Sequence, residues 1–134
     1  MTHRLAVKVY YEDTDMAGIV YYANYLKYIE RGRSEALEAL GVDQVAMKTA
    51  GLVFAVRWVG VDYLAPARFG EVLEVATVIA RVKGASVEMV QEVRRAGQSL
   101  IRATVTVACM DVQGRPKRLP EDVRSKLASA QVAG

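Results

Sequence analysis

Four long stretches of strand-forming residues follow one another from residue 52 onward, with short breaks between them. The stretches cover residues 52–63, 71–82, 86–95 and 99–112. The breaks before the third and fourth stretches contain Gly84 and Gly97 and have the length of hairpin turns. Because parallel neighbours require long and usually helical crossovers, this spacing predicts an antiparallel sheet.

A single long amphipathic helix is predicted before these strands, over residues 22–40. Apolar side chains recur there at intervals of three and four residues, and Gly41 follows in the usual position of a helix end. A first strand is predicted over residues 5–11, and a short helix or loop over residues 42–51. From Pro120 onward we expect a weak C-terminal helix that frays.

The size and order of these elements predict one domain of the α+β class, covering residues 1–134. The chain has 134 residues, 52% of them hydrophobic, which is enough for one core and too short for two. One long helix packed on a curved antiparallel sheet would bury the apolar side of that helix. Because such long strands have few covering elements, we expect an oligomer to hide the sheet edges.

Histidine and cysteine are too rare for several kinds of active site. The chain has one of each, His3 and Cys109, so it lacks the pair needed for an intrachain disulfide and the ligands for a zinc site of His and Cys. A Ser-His-Asp or Cys-His nucleophile needs an imidazole, and His3 is predicted to lie in a frayed N-terminus. If the chain is an enzyme, we expect carboxylates and backbone dipoles to act without a metal or bound cofactor.

Charge and hydropathy indicate which partners and which cellular compartment to expect. The net charge is +3, but Lys and Arg are spread along the chain, so nucleic-acid binding is disfavoured. The densest basic group, Arg115, Lys117 and Arg118, lies among Gly and Pro residues and is interpreted as a solvated turn. No apolar run has the length of a signal peptide or a membrane span, and the predicted compartment is the cytoplasm.

The segment over residues 11–25 contains the most specific pattern of the chain. It reads Asp-Thr-Asp-x-x-Gly-x-Val-x-x-x-Asn-Tyr from Asp13, and the predicted helix continues with Glu30-Arg-x-Arg. A second element, Tyr63-x-x-Pro-Ala-x-Phe-x-Glu, lies between two predicted strands. Together they resemble the 4-hydroxybenzoyl-CoA thioesterase family, and most closely its bacterial Tol–Pal-associated, YbgC-like acyl-CoA thioesterase branch. The resemblance extends over roughly residues 5–112.

The resemblance implies a hotdog fold, in which a five-stranded antiparallel sheet wraps around one long central helix. It implies an acyl-CoA thioesterase that forms homodimers or homotetramers, with active sites at the dimer interface. The catalytic carboxylate of the family falls on Asp15. The backbone N–H that polarises the substrate carbonyl falls on Tyr22.

The chemistry of the residues is consistent with these assignments. A thioester carbonyl at a helix N-terminus meets unsatisfied N–H groups and the positive end of the helix dipole, which stabilise an oxyanion. Asp15 would either attack the carbonyl or activate a water molecule, and the sequence leaves both routes open. Gly18 would allow the backbone to approach the substrate closely. The alternative for Asp15 is a turn-forming or N-capping carboxylate.

Five further residues are predicted to contact the substrate. Tyr25 would line an aromatic acyl pocket, although aromatic residues at helical spacing are also typical of a core. The resemblance places Phe54 and Val56 beside the pantetheine arm, and Lys83 and Ser86 at the phosphates of coenzyme A. The alternative for Phe54 and Val56 is that they are ordinary sheet residues. The alternative for Lys83 and Ser86 is a solvated hairpin tip.

The sequence leaves open which acyl group is preferred and whether the chain is catalytic. The YbgC-like branch usually has histidine where this chain has Tyr22, so short-chain, long-chain and aromatic acyl groups all stay open. Dehydratases and hydratases with this fold resemble a different pattern, which needs a catalytic histidine. A non-catalytic hotdog protein that docks acyl carrier protein or an envelope-associated partner is the remaining alternative.

Overall fold

The computed structural model describes residues 1–132. In chain order its regular elements are β1 (Thr2–Lys8), α1 (Asn24–Ala39), α2 (Gln44–Thr49), β2 (Leu52–Tyr63), β3 (Val72–Val82), β4 (Ser86–Arg95), β5 (Gln98–Asp111) and α3 (Glu121–Ala130). A short 3-10 turn over Tyr11–Asp13 follows β1, and an irregular loop leads from this turn to α1.

The five strands form one sheet in the order β1-β3-β4-β5-β2, and every neighbouring pair is antiparallel. Tight turns join β3 to β4 and β4 to β5, at the positions that the glycine-containing breaks predict. The strands β1 and β2 are the two edges of the sheet. The predicted α+β architecture, one long helix on a five-stranded antiparallel sheet, is confirmed.

The middle of α1 packs directly on the sheet, against β1, β3 and β4. A Cβ atom at Gly32 would lie 2.5 Å from Cγ1 of Val75, so the helix backbone approaches the sheet more closely than any larger residue allows. Beside it, the fully buried Gln91 donates from Nε2 to the carbonyl oxygen of Ile29 at 2.8 Å and to Oγ1 of Thr77 at 2.9 Å. These contacts fix the position of α1 along the sheet.

The edge strand β2 is separated from α1 by a groove, which we call the α1–β2 groove. Its helical side consists of Leu26, Glu30 and Arg33, and its strand side of Val56 and Val59. Along this edge β2 exposes four large apolar side chains, namely those of Val56, Trp58, Val59 and Tyr63. An unpaired apolar edge strand of this kind is a template for pairing with another chain.

The N-terminus is ordered, and its predicted fraying is wrong. The strand β1 begins at Thr2, three residues earlier than predicted, and ends at Lys8. His3 is paired with Thr77 of β3 in the antiparallel ladder. Pairing with β3 supplies the backbone hydrogen bonds that a free terminus lacks, which the sequence of β1 alone does not reveal.

The predicted C-terminal helix is present as α3, and it is packed rather than frayed over its whole length. Leu127 is fully buried, and Val123 is nearly so. The Nζ atom of Lys126 donates to the carbonyl oxygen of Gly41 at 2.9 Å, at the end of α1. Residues 133–134 of the predicted tail lie outside the described residues.

Cys109 lies on β5 and is fully buried. Burial raises the pKa of its thiol, and its Sγ atom lies 3.9 Å from the carbonyl oxygen of Arg118. In the described part of the chain, no helix is both long enough and apolar enough to span a membrane.

Candidate active site

Asp15 begins a tight turn in the loop before α1. The N–H of Gly18 donates to the carbonyl oxygen of Asp15 at 2.9 Å, and the N–H of Asp15 donates to Ile19 at 3.0 Å. Gly18 has φ +79°, a left-handed conformation that the fourth residue of such a turn requires and that glycine adopts without strain. The local need for glycine is therefore conformational, and no neighbouring atom crowds the position.

The Asp15 side chain is exposed and half engaged in this turn. Its Oδ1 atom accepts a hydrogen bond from the N–H of Ala17 at 2.9 Å. Among residues 1–132, Oδ2 of Asp15 accepts none, so this oxygen is available to a ligand. Asp15 thus has the turn-forming role expected as the alternative. The hydrogen bond to Oδ1 orients the carboxylate but occupies only one of its two oxygens.

Hydrogen bonds to Asp13, at the beginning of the loop, connect the Asp15 turn to the start of α1. The N–H of Tyr21 donates to the carbonyl oxygen of Asp13 at 2.9 Å, and Nδ2 of Asn24 donates to the same oxygen at 2.9 Å. On the opposite side, the N–H of Val20 donates to the carbonyl oxygen of Ala67 at 2.9 Å. The loop, the helix start and the segment before β3 therefore form one connected unit.

The helix begins two residues later than the sequence predicts. Residues Tyr22 and Ala23 form a turn, and α1 starts at Asn24 because the N–H of Asn24 bonds to Tyr21 in that turn. No side chain caps the helix. Within the described residues, the N–H groups of Tyr22 and Ala23 donate no hydrogen bond, although Tyr22 is the position predicted to supply a donor.

A cavity of about 320 Å³ opens beside this helix start. Its walls are apolar and aromatic, formed by Ile19, Val20, Tyr22, Tyr25, Tyr63, Leu64, Ala65 and Pro66. The hydroxyl of Tyr63 donates to the carbonyl oxygen of Tyr22 at 3.1 Å, and their rings are in edge contact at 6.1 Å between centroids. The cavity suits an apolar group held next to the free N–H groups.

Tyr25 is a core residue that also lines this cavity, and its contact with an acyl group stays a prediction. It is 3% exposed and in edge contact with Tyr28, as a core residue would be. Its hydroxyl accepts a hydrogen bond from the N–H of Ala67 at 2.9 Å, while its ring forms part of the cavity wall. Core packing thus fixes one wall of the cavity.

Neighbouring groups and burial raise the pKa values of three tyrosine hydroxyls near this helix start. The pKa of the Tyr21 hydroxyl is raised, chiefly by the neighbouring Tyr22 and further by the negative charge of Asp15. Burial also raises the pKa values of Tyr25 and Tyr63.

Phe54 and Val56 lie farther along the same side of the molecule. Both line a cavity of about 280 Å³ between α1 and β2, together with Glu30, Arg33 and Ser34. Val56, Glu30 and Arg33 also line the adjacent cavity of about 260 Å³ in the α1–β2 groove. The two predicted pantetheine contacts thus face a continuous groove beside α1.

Lys83 and Ser86 lie at the opposite end of the sheet from Asp15. The whole length of β3 separates the two ends, and eleven residues span roughly 35 Å. Lys83 is exposed, Ser86 is buried, and the N–H of Lys83 donates to the carbonyl oxygen of Ser86 at 2.8 Å. Within one chain, these residues and Asp15 do not meet.

Two residues of the site were not identified by sequence reasoning, Asn24 and Tyr63. Both occur in the motifs quoted above, but only the structure reveals the hydrogen bonds that they make to Asp13 and Tyr22. No group of three or more His, Cys, Asp or Glu side chains is arranged for a metal ion within residues 1–132.

Comparison with known proteins assigns the chain and its fold to a family. A model of the thioesterase-like superfamily matches residues 9–127. Acyl-CoA thioesterase YbgC of Haemophilus influenzae is 39% identical over 121 residues, which cover 89% of each chain. A probable thioesterase from Bartonella henselae is 35% identical, with a TM-score of 0.85 over 90% of this chain and 100% of that chain. The hypothetical protein TT1821 from Thermus thermophilus is 32% identical, with a TM-score of 0.90 over 96% and 99%.

The matched region includes the Asp15 turn, the start of α1 and all strands from β2 to β5. The family inferred from the motif over residues 11–25 is confirmed. The chain belongs to the thioesterase-like superfamily and, within it, to the group of the YbgC acyl-CoA thioesterases.

Proposed function

We propose that the chain hydrolyses an acyl-CoA thioester to a free acid and coenzyme A, with Asp15 as the catalytic carboxylate and the Tyr22 N–H as the carbonyl-polarising donor. One observation carries this assignment. The exposed Asp15 carboxylate and the unbonded N–H groups of Tyr22 and Ala23 lie at the two ends of one short hydrogen-bonded loop, and an apolar cavity opens at the Tyr22 end. The names of the YbgC relatives support the reaction class.

In the proposed reaction, the thioester carbonyl oxygen accepts a hydrogen bond from Tyr22 at the positive end of α1. This donor stabilises the negative charge that develops on the oxygen, and losing one such donor typically costs about a hundredfold or more in rate. The acyl group occupies the cavity lined by Tyr22, Tyr25 and Tyr63. Gly18 maintains the turn that presents Asp15.

Asp15 has two routes to the same products. As a nucleophile, it attacks the carbonyl carbon, expels the coenzyme A thiolate and forms a mixed anhydride, which water then hydrolyses. As a general base, it removes a proton from a water molecule that attacks the carbonyl directly. In both routes the thioester C–S bond breaks, and one water molecule supplies the acid oxygen and the thiol proton. No metal or bound cofactor takes part.

The proposal includes a dimer that pairs the β2 edges of two copies. The exposed apolar side chains of β2 favour such pairing. A two-fold axis across β2 reverses the second sheet, so Lys83 and Ser86 of that copy approach Asp15 of the first and can contact the coenzyme A phosphates. Phe54 and Val56 would then border the pantetheine arm. The resemblance to the family also allows two such dimers to pair into a tetramer. The cytoplasm is the proposed compartment.

Replacing Asp15 by Asn tests the catalytic assignment. The change keeps the size and the turn hydrogen bond but removes the charge and the basicity, so turnover should fall by about a hundredfold to ten-thousandfold. Released thiol is measured with short-chain, long-chain and aromatic acyl-CoAs. Glu12→Gln is the matched control, because Glu12 is an exposed carboxylate in the 3-10 turn just before the Asp15 loop.

Near-normal turnover of Asp15→Asn would remove Asp15 from the mechanism. If the unmodified protein releases no thiol from any of the three substrate types, the catalytic proposal fails, and a binding protein for acyl carrier protein or another partner becomes the better hypothesis. Binding of a non-hydrolysable acyl-CoA analogue, measured by calorimetry, separates these results.

A further inference from the structure

A stripe of charged side chains follows α1 along the α1–β2 groove. Lys27, Glu30 and Arg33 recur at intervals of three residues and line the same cavity. None of the three forms an ion pair within the described residues, although several pairs occur on the sheet. The groove therefore contains opposite charges without an ionic partner in the chain.

Arg33 is the most constrained of these three residues. Its guanidinium donates from one terminal nitrogen to Oε1 of the fully buried Gln91 at 3.1 Å. Gln91 is itself held by Ile29 and Thr77, so the Arg33 head group has a fixed position. Burial lowers the pKa of Arg33, and the charge of Glu30 on the same helix partly offsets this effect. The guanidinium has thus lost part of its hydration without forming an ion pair within the described residues.

The symmetry of β2 indicates where a second copy would place its charges. Two identical antiparallel edge strands pair most completely around the middle of the strand, which for Leu52–Tyr63 lies between Arg57 and Trp58. Val56 adjoins this midpoint and lines both groove cavities with Glu30 and Arg33. A two-fold axis there brings the two α1 helices together in opposite directions.

We propose that Glu30 of each copy forms an ion pair with Arg33 of the other, so that two reciprocal pairs fix the register of the dimer. This inference rests on the β2-edge dimer of the proposed function. It adds a specific polar contact between the two α1 helices of that dimer. Opposite charges three residues apart on one helix face are self-complementary when that face meets itself across a two-fold axis. The flanking apolar side chains Leu26, Val56 and Val59 would exclude water from the pairs.

Charge reversal tests the reciprocal pairing. Glu30→Arg and Arg33→Glu each place like charges against each other twice, so each single variant should dissociate to monomers at concentrations where the unchanged protein is a dimer. The double variant Glu30→Arg/Arg33→Glu restores two opposite-charge pairs and should dimerise again. The masses are measured by sedimentation equilibrium over a hundredfold range of concentration.

Glu35→Arg is the matched control, because Glu35 is exposed on the side of α1 away from the groove. It makes the same charge change and should stay dimeric. Far-UV circular dichroism checks that every variant is folded. Dimeric single variants, or a double variant that stays monomeric while folded, would overturn the proposed contact.

The result is separable from that of the catalytic test. A monomeric unchanged protein overturns the ion pairs and the β2-edge dimer but leaves the role of Asp15 to be decided by turnover. Loss of thiol release in Asp15→Asn, with an unchanged mass, supports the catalytic assignment and says nothing against the charge pairs.

Discussion

The middle and the beginning of α1 meet the rest of the molecule in opposite ways. In the middle, Gly32 lies against the sheet, and Gln91 has hydrogen-bond partners for both of its amide atoms. At the beginning, Tyr22 has an N–H without a partner, and Asp15 is exposed. The comparison teaches that one helix can combine a fixed position with a reactive end, because rigidity is supplied two turns away from the chemistry.

The largest expected effect comes from breaking the close approach in the middle of α1. The added methyl group of Gly32→Ala would lie 2.5 Å from Val75 and 3.2 Å from Thr77, so the helix must move away from the sheet. We expect a loss of about 2–3 kcal/mol in the free energy of unfolding, measured by urea denaturation. Gly84→Ala is the control, because its nearest neighbour would be 3.8 Å away. A loss below about 0.5 kcal/mol would contradict the close packing.

A smaller loss is expected when the buried hydrogen bonds beside Gly32 are removed. Gln91→Leu keeps the approximate volume but leaves Thr77 and Arg33 without their partner, at a cost of about 1–2 kcal/mol. In a double-mutant cycle with Thr77→Val, the combined loss should be smaller than the sum of the single losses. Strictly additive losses would show that the two side chains are not coupled.

The smallest effect is expected at the beginning of the helix, on activity instead of stability. Tyr63→Phe removes the hydrogen bond to the Tyr22 carbonyl oxygen, which is exposed and 3.1 Å long. A contribution of about 0.5–1.5 kcal/mol corresponds to roughly a twofold to tenfold decrease in kcat/KM, while the midpoint of unfolding stays nearly constant. The comparison of the two parts of α1 fails if this variant loses stability and keeps its activity.

The sheet was predictable because its signals are local. Gly84 and Gly97 mark the hairpin turns, and the observed strands β2 and β4 have the predicted bounds. His3 and α3 were predicted poorly, since their order depends on distant partners such as Thr77 and Gly41. Contacts with residues so distant in the sequence cannot be predicted from a local residue pattern.

The candidate site was predictable to a different degree. The motif identified Asp15 and Tyr22 as neighbours of a helix start, but the start itself moved to Asn24 because the loop hydrogen bonds compete with the first helical turn. Lys83 is separated from Asp15 by β3, whose length was predicted to within one residue. The sequence pattern does not show that the Asp15 loop bonds to the segment before β3, which places Asp15 at the other end of that strand. The roles of all these residues stay predictions.

Cys109 gives the molecule a built-in advantage for colorimetric work. It is the one cysteine in the sequence, and it is fully buried with a raised thiol pKa, so a thiol-reactive dye finds no fast target on the folded protein. Any rapid colour therefore counts coenzyme A released by turnover. A slow additional signal, limited to one equivalent per chain, would count molecules that have opened around β5, so a single reagent records catalysis and unfolding in the same cuvette.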